Sequence, residues 1–99
     1  MTTKMVFEKK FGNKMYKLVF VESNSLHIGY GGETSTKNSA ERKGKMLRAA
    51  GFNVRVVREM HIRIPTKGPE IFYAVYARKE GLTLDQVEAF GMEVLGRRF

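Results

Sequence analysis

The residues of this chain that could take part in chemistry are mainly its cations. Lysine and arginine number 18 against 10 aspartates and glutamates, which gives a net charge of +8. A positive surface attracts polyanions, and the counterions released from a nucleic acid drive its association with protein. We therefore predict a nucleic-acid partner, bound mainly through its phosphate backbone. An anionic protein or membrane surface, or a basic surface that is only solvated, are the alternatives.

The predicted contact residues fall mostly on one hairpin of strands and on the helix that precedes it. Both segments are rich in lysine and arginine, and the second strand of the hairpin contains a tyrosine. Cationic side chains contact phosphates, and an aromatic ring can stack on a base. The predicted nucleic-acid-binding residues are Lys17, Arg42, Lys45, Arg48, Arg55, Arg58, Arg63, Lys67, Tyr76 and Arg78.

No pattern of residues indicates catalysis or a metal site. The two histidines, His27 and His61, are far apart in sequence, and neither has a neighbour at the spacing of metal ligands. The chain has no cysteine, which excludes disulfides, thiolate zinc sites and cysteine nucleophiles. We expect no enzymatic activity, no catalytic residue, no metal and no cofactor. A metal-dependent nuclease built from scattered glutamates is a weaker alternative.

Length and composition predict one soluble domain over residues 1–99. Apolar residues make up 42% of the chain and charged residues 28%, which is typical of folded soluble proteins. No apolar run approaches the about 20 residues that cross a bilayer, and the N-terminus becomes charged too early for a secretory signal. We expect a cytoplasmic protein without a membrane partner. The many Lys, Arg and Glu residues beside few Asn and Gln residues suggest a thermophilic source.

Four segments are predicted to be strands. They are short, rich in β-branched and aromatic residues, and bounded by glycine, proline or charge. Gly12 and Asn13 predict a tight turn between the first two strands, and residues 59–70 predict a long basic loop between the last two. Residues 26–30 predict either a further short strand or an extended loop. The four predicted strands are residues 4–10, 15–21, 51–58 and 71–78.

The first helix is predicted from Thr36 or Asn38 to Ala50. Asn38 and Glu41 have the spacing of a capping box. Gly51 is placed to end the helix in a left-handed conformation. The preceding glycine-rich residues 29–36 lack the Gly-Lys-Ser/Thr order of a phosphate-binding loop, so they predict a plain connection.

The second helix is predicted to begin after Thr83. Thr83 and Gln86 form a capping box, and Leu82 with Val87 has the spacing of a hydrophobic staple. This helix is acidic, whereas the first is basic. Its predicted apolar stripe comprises Val87, Phe90, Gly91, Val94 and Leu95, and its outward residues are Asp85, Glu88 and Glu93.

The element order ββαββα predicts an α+β fold: a two-layer sandwich in which a four-stranded, mainly antiparallel sheet has both helices on one face. A right-handed crossover through the first helix makes the second and third strands parallel, with the fourth strand between them. That layout resembles a circularly permuted ferredoxin-like fold whose last strand comes first. A layout like that of double-stranded-RNA-binding domains is the alternative.

The helix-free face of such a sheet has two interpretations. It is predicted to carry Lys17, Arg55, Tyr76 and Arg78, with Val19 and Val57 between them. A face of this composition could stack RNA bases and hold phosphates. Alternatively, its apolar part could be buried in a homodimer. The alternative function is therefore a non-enzymatic interaction or structural module, of viral, plasmid or ribosome-associated type, that dimerises through this face.

Overall fold

The computed structural model of the protein describes residues 7–23, 32–64 and 68–96. The predicted α+β class and the order of the elements are confirmed. The possible strand over residues 26–30 lies outside the described residues. The elements are β1 (Glu8–Phe11), β2 (Lys14–Ser23), α1 (Gly32–Ala49), β3 (Asn53–Ile64), β4 (Gly68–Arg78) and α2 (Leu84–Gly96).

The four strands form one sheet in the order β1-β2-β4-β3, and each neighbouring pair is antiparallel. The central strands are β2 and β4, as predicted, and β2 runs parallel to β3 with β4 between them. Every residue from Tyr73 to Ala77 in β4 is buried. Consecutive apolar residues, rather than alternating ones, are the pattern of a strand that is covered on both faces.

The hairpin of β3 and β4 is longer than predicted. Strand pairing continues beyond residue 58, with Glu59 opposite Phe72 and Met60 opposite Ile71. The prediction of a loop over residues 59–70 is therefore wrong for most of that segment, and only residues 65–67 lie outside the described part. Its charges suggested a loop, but an edge strand accommodates charged residues on its solvent side.

The start of α1 was also mispredicted. The helix begins at Gly32, so Asn38 lies inside it and cannot cap it. Residues 32–36, predicted to be a connection, are helical, although glycine, serine and threonine are weak helix formers. Thr36 is completely buried. Tertiary packing of this first part of the helix outweighs its weak propensity.

The end of α1 is confirmed. Gly51 has a φ of 93°. The amides of Gly51 and Phe52 donate to the carbonyls of Arg48 and Leu47, each at 3.0 Å. Phe52 and Leu47 also belong to the same apolar core. This pair of hydrogen bonds with its apolar contact is the Schellman motif.

The capping box of α2 is present as predicted. The Thr83 amide donates to Gln86 Oε1 at 2.9 Å, and the Gln86 amide donates to Thr83 Oγ1 at 3.2 Å. The predicted stripe is wrong at Phe90, which is 46% exposed. The helix approaches the sheet most closely at Gly91, where an added Cβ would lie 3.0 Å from Val19. The buried stripe is centred there, and Phe90 falls at its margin.

Both helices pack on one face of the sheet, and a second apolar cluster covers the other face. The first core lies between the sheet and the helices and includes Val19, Leu47, Val75 and Val87. The second cluster is formed by strand residues of the helix-free face. Its members are Tyr16, Leu18, Ala74 and Tyr76, with Phe11, Val21 and Val57 packed against them.

The register of β2 corrects the predicted helix-free face. Lys17 pairs with Ala77, which belongs to the core under the helices, and Leu18 pairs with Tyr76 on the other face. Lys17 and Val19 therefore lie on the helix side, contrary to the prediction. Because β2 is apolar on both faces, its sequence does not show which residues face the helices.

The sheet is curled, so the face without helices is concave. Although β1 is separated from β4 and β3 in the sheet, the rings of Phe11 and Tyr76 lie 5.5 Å apart between centroids. Lys9 Nζ on β1 lies 3.9 Å from a carboxylate oxygen of Glu59 on β3, the opposite edge strand. The face predicted to be open is therefore filled by the sheet's own side chains.

Candidate nucleic-acid interface

A row of cations occupies the outward face of α1. Lys37, Arg42, Lys45 and Arg48 are all exposed, whereas Ala40, Gly44 and Leu47 are buried against the sheet. Arg42, Lys45 and Arg48 follow one another at intervals of three, so they lie along the same side of the helix. At about 1.5 Å per residue, the row from Lys37 to Arg48 is about 16 Å long. We call Lys37, Arg42, Lys45 and Arg48 the α1 cation row.

The α1 cation row is largely available to an external anion. Within the described residues, no carboxylate forms an ion pair with Lys37, Arg42 or Lys45. Arg48 is partly engaged, because its Nη2 donates to the carbonyl oxygen of Val54 at 3.2 Å. That bond fixes the guanidinium beside the first residues of β3 and leaves its charge uncompensated by an acid.

Lys43 points the other way and does not contribute to the row. Its Nζ donates to Glu22 Oε1 at 2.8 Å and to Ser39 Oγ at 3.1 Å. The same nitrogen lies 4.5 Å from the centre of the Phe20 ring. Lys43 and Glu22 are both buried. This ion pair joins α1 to β2 and is structural.

The two arginines of β3 lie on opposite sides of the sheet. Arg58 pairs with Tyr73, which faces the helices, and Arg55 pairs with Tyr76, which faces away. Both are exposed. Arg58 therefore shares the side of the α1 cation row. Arg55 instead lies with its guanidinium carbon 5.8 Å from the centre of the Phe11 ring.

Two other predicted contact residues already have acidic partners. Lys17 Nζ lies 3.6 Å from Glu8 and 3.9 Å from Asp85, and its side chain is only 11% exposed. Arg78 donates to Glu80 at 2.8 Å. This hydrogen bond and the charge of Arg78 lower the pKa of the Glu80 carboxyl. Neither Lys17 nor Arg78 lies next to the α1 cation row, although the sequence predicts that all of these cations contact one nucleic acid.

Tyr76 lies on the predicted face but has no exposed surface. Its hydroxyl lies 3.4 Å from Glu59 Oε1. Burial, followed by the charge of Glu59 and this hydrogen bond, raises the pKa of Tyr76 to about 12. A ring in this position packs the concave face and offers nothing on which a base could stack.

Two of the predicted contact residues, Arg63 and Lys67, belong to the segment that was predicted to be the hairpin tip. Arg63 is part of β3, and Lys67 lies outside the described residues. Lys37, in contrast, was not among the predicted contact residues. Its position on the outward side of a basic helix could have identified Lys37 as a contact residue from the sequence.

Most of the exposed positive charge of the two helices lies on α1 and most of the exposed negative charge lies on α2, although the partly buried Glu41 stands among the cations of α1. The sequence of α2 contains Asp85, Glu88 and Glu93 and no lysine or arginine. All three of these acids are exposed. Because α1 and α2 lie side by side on the same face of the sheet, this face has a basic half and an acidic half. A polyanion would be attracted to the first and repelled by the second.

The described residues show neither a metal-binding group nor a membrane-spanning helix. They contain no group of three or more acidic or histidine side chains placed to hold a metal ion. None of the helices in the described part of the chain is long and apolar enough to cross a membrane. Comparisons with protein families, curated proteins and solved structures found no match to the chain. The geometry of the α1 cation row is therefore the basis for assigning a function.

Proposed function

We propose that the protein is a small, non-enzymatic nucleic-acid-binding protein that contacts the phosphate backbone through the α1 cation row. The observation that carries the proposal is this row of exposed cations on one helix, on the same side of the sheet as Arg58 and next to the acidic α2. Phosphate contacts of this kind supply affinity and position, but little sequence specificity. We also retain the predicted cytoplasmic location as part of this proposal.

The proposal favours double-stranded over single-stranded nucleic acid. Proteins that bind single strands stack bases on exposed aromatic rings. In this protein Tyr16 and Tyr76 are buried in the concave face, and the exposed rings of Phe7 and Phe90 lie before β1 and on α2. The α1 cation row, in contrast, is an array of exposed cations about 16 Å long on one helix, which suits contacts to the phosphates of a duplex.

We further propose that the fold is a permuted ferredoxin-like fold. The strand order β1-β2-β4-β3 and the parallel relation of β2 and β3 support this arrangement. So does the position of both helices on one face. The pairing of β4 with both β2 and β3 favours it over the layout of a double-stranded-RNA-binding domain.

The test is a binding titration of fluorescent duplex and single-stranded DNA and RNA, at low and near-physiological salt. The double variant Arg42→Glu, Lys45→Glu removes two contacts without touching the core. We expect it to lose about tenfold or more in duplex affinity and to reduce the salt slope by about two. The wild-type protein is expected to bind duplexes more tightly than single strands.

The matched control is Lys10→Glu, Lys14→Glu. It changes the net charge by the same amount, and both lysines are exposed next to the β1–β2 turn, away from α1. We expect this control to keep most of the affinity. Equal losses in the two double variants would mean that total charge, and not the α1 cation row, determines binding. No binding by the wild-type protein at low salt would rule out the function itself.

The alternative function needs an open sheet face. Dimerisation through the helix-free face was predicted to bury Val19, Val57 and Tyr76. Val19 faces the helices, and Tyr76 is already buried within the chain. No observation favours dimerisation through that face.

A further inference from the structure

One edge of the sheet is long and exposed. β3 has 12 residues and lies at the edge opposite β1, which has four. An edge strand presents a row of backbone N–H and C=O groups that can pair with another strand. Arg55 and Arg58 are exposed, and Met60 is 53% exposed. At the start of this strand Arg48 Nη2 donates to the carbonyl oxygen of Val54, which keeps a second acceptor position for a partner strand.

The sequence of β3 is complementary to itself in one antiparallel register. When two copies pair about Val57, Arg55 lies opposite Glu59 of the second copy, and Val57 lies opposite its counterpart. On the other side of the strands, Val54 lies opposite Met60, and Val56 lies opposite Arg58. Opposite charges and apolar pairs directly across two strands stabilise a sheet.

The neighbouring registers are less favourable. Pairing about Arg58 places two arginines directly opposite each other, and pairing about Glu59 does the same with two carboxylates. Like charges in directly opposed positions destabilise strand pairs. The register about Val57 avoids both. The register about Val56 also avoids them, but it places Arg55 opposite Val57 and Val54 opposite Arg58, so it forms no pair of opposite charges. Glu59 Oε1 already has Lys9 Nζ at 3.9 Å and the Tyr76 hydroxyl at 3.4 Å, but a carboxylate has about four acceptor positions and can also accept from the partner's arginine.

We infer that β3 is an interaction surface for a second copy of this chain, paired antiparallel about Val57 to form a continuous eight-stranded sheet. The two-fold axis of such a pair is perpendicular to the sheet, so both α1 helices lie on the same face and flank the new seam. The interaction uses the backbone edge of β3 rather than the concave face. It does not depend on nucleic-acid binding.

Cysteine cross-linking tests the register, because the chain contains no cysteine of its own. In Val57→Cys the two thiols lie directly across the axis, within the about 7 Å between Cα atoms that a disulfide allows. In the matched control Arg55→Cys, the two positions are offset by four residues, about 13 Å along the strand. Both variants are incubated with oxidised glutathione, and the wild-type mass is measured by sedimentation from micromolar to millimolar concentration.

We expect a wild-type dimer at high concentration, covalent dimer in Val57→Cys and almost none in Arg55→Cys. Arg55→Glu, which places two acids opposite each other, should weaken the dimer severalfold. A wild-type chain that stays monomeric throughout would overturn the inference. So would equal cross-linking of the two cysteine variants, and preferential cross-linking of Arg58→Cys would replace the register about Val57 by one about Arg58.

Discussion

At the scale of single residues, the placement of each cation determines what it can do. Lys43 and Lys45 are two positions apart on α1, yet the first forms a buried ion pair and the second is exposed. Lys17 and Arg78 are held by acids of the same chain. Each of these pairs is neutral, so the net charge of +8 comes from other cations, and the α1 cation row supplies four of them.

The substitution Lys43→Met should destabilise the protein. A methionine side chain would fill a similar volume, but buried Glu22 would lose the ammonium that lies 2.8 Å away. Removing one partner of a buried ion pair costs about 3 kcal/mol or more. The free energy of unfolding in urea measures the loss. The control Lys45→Met should change it by less than about 0.5 kcal/mol, and a similar value for both variants would show that the buried pair is not structural.

Tyr76 should make stability depend on alkaline pH. Its pKa rises from 10.0 to about 12 on folding, so the native state holds this proton more tightly than the unfolded state. The stabilisation of the native state that comes from this pKa difference is complete below pH 10 and is lost as the pH rises through about 12. Urea unfolding across this window should show a steeper loss in the wild-type protein than in Tyr76→Phe. Parallel losses would assign the pH dependence to other groups.

At the scale of the elements, features that depend on neighbouring residues were predictable from the sequence, and features that depend on distant residues were not. Thr83 with Gln86 and Gly51 act within a few residues of themselves, so their roles follow from the sequence. The start of α1 depends on the burial of Thr36, and the face of Lys17 depends on its pairing with β4. The candidate site was also predictable only in part. The exposed cations of α1 follow from helix periodicity, whereas the burial of Tyr76 follows from the curl of the sheet, which the sequence does not show.

The left-handed end of α1 gives a prediction at this scale. At Gly51, φ is 93° and an added Cβ would lie 3.3 Å from Lys79 Nζ. That ammonium also donates to the carbonyl of Ala50 at 3.0 Å. Gly51→Ala should therefore destabilise the protein by about 1 kcal/mol.

A matched alanine substitution separates this effect from that of removing any glycine. Gly96, the last residue of α2, has open space at its Cβ position. Gly96→Ala should be neutral or slightly stabilising, because alanine is a better helix former. Thermal unfolding of the two variants measures the difference. Equal melting temperatures would show that the end of α1 tolerates a side chain.

At the scale of the whole molecule, one sheet serves two cores. The helices cover its convex face, and the curl encloses a smaller cluster on the other. Because both faces are occupied, the surfaces that the described residues leave for partners include the outward side of α1, the side of α2 and the edge of β3. The proposed nucleic-acid contact on α1 and the inferred pairing of β3 use largely separate parts of this surface, and Arg48 lies where the two parts meet. Two copies joined at β3 would present two α1 cation rows to one duplex.

The strand order also has a consequence for how the chain folds as it is made. β2 can pair with β1 as soon as both have been synthesised. Its other neighbour is β4, so Leu18 can pair with Tyr76 only after almost 60 further residues have been added. Until then, one side of the most apolar strand has no partner, and α1 has only part of its sheet to pack on. Contacts between distant residues slow folding and prolong the exposure of unpaired strands. A ribosome-bound chain that ends before β4 is therefore expected to remain open to chaperones and proteases.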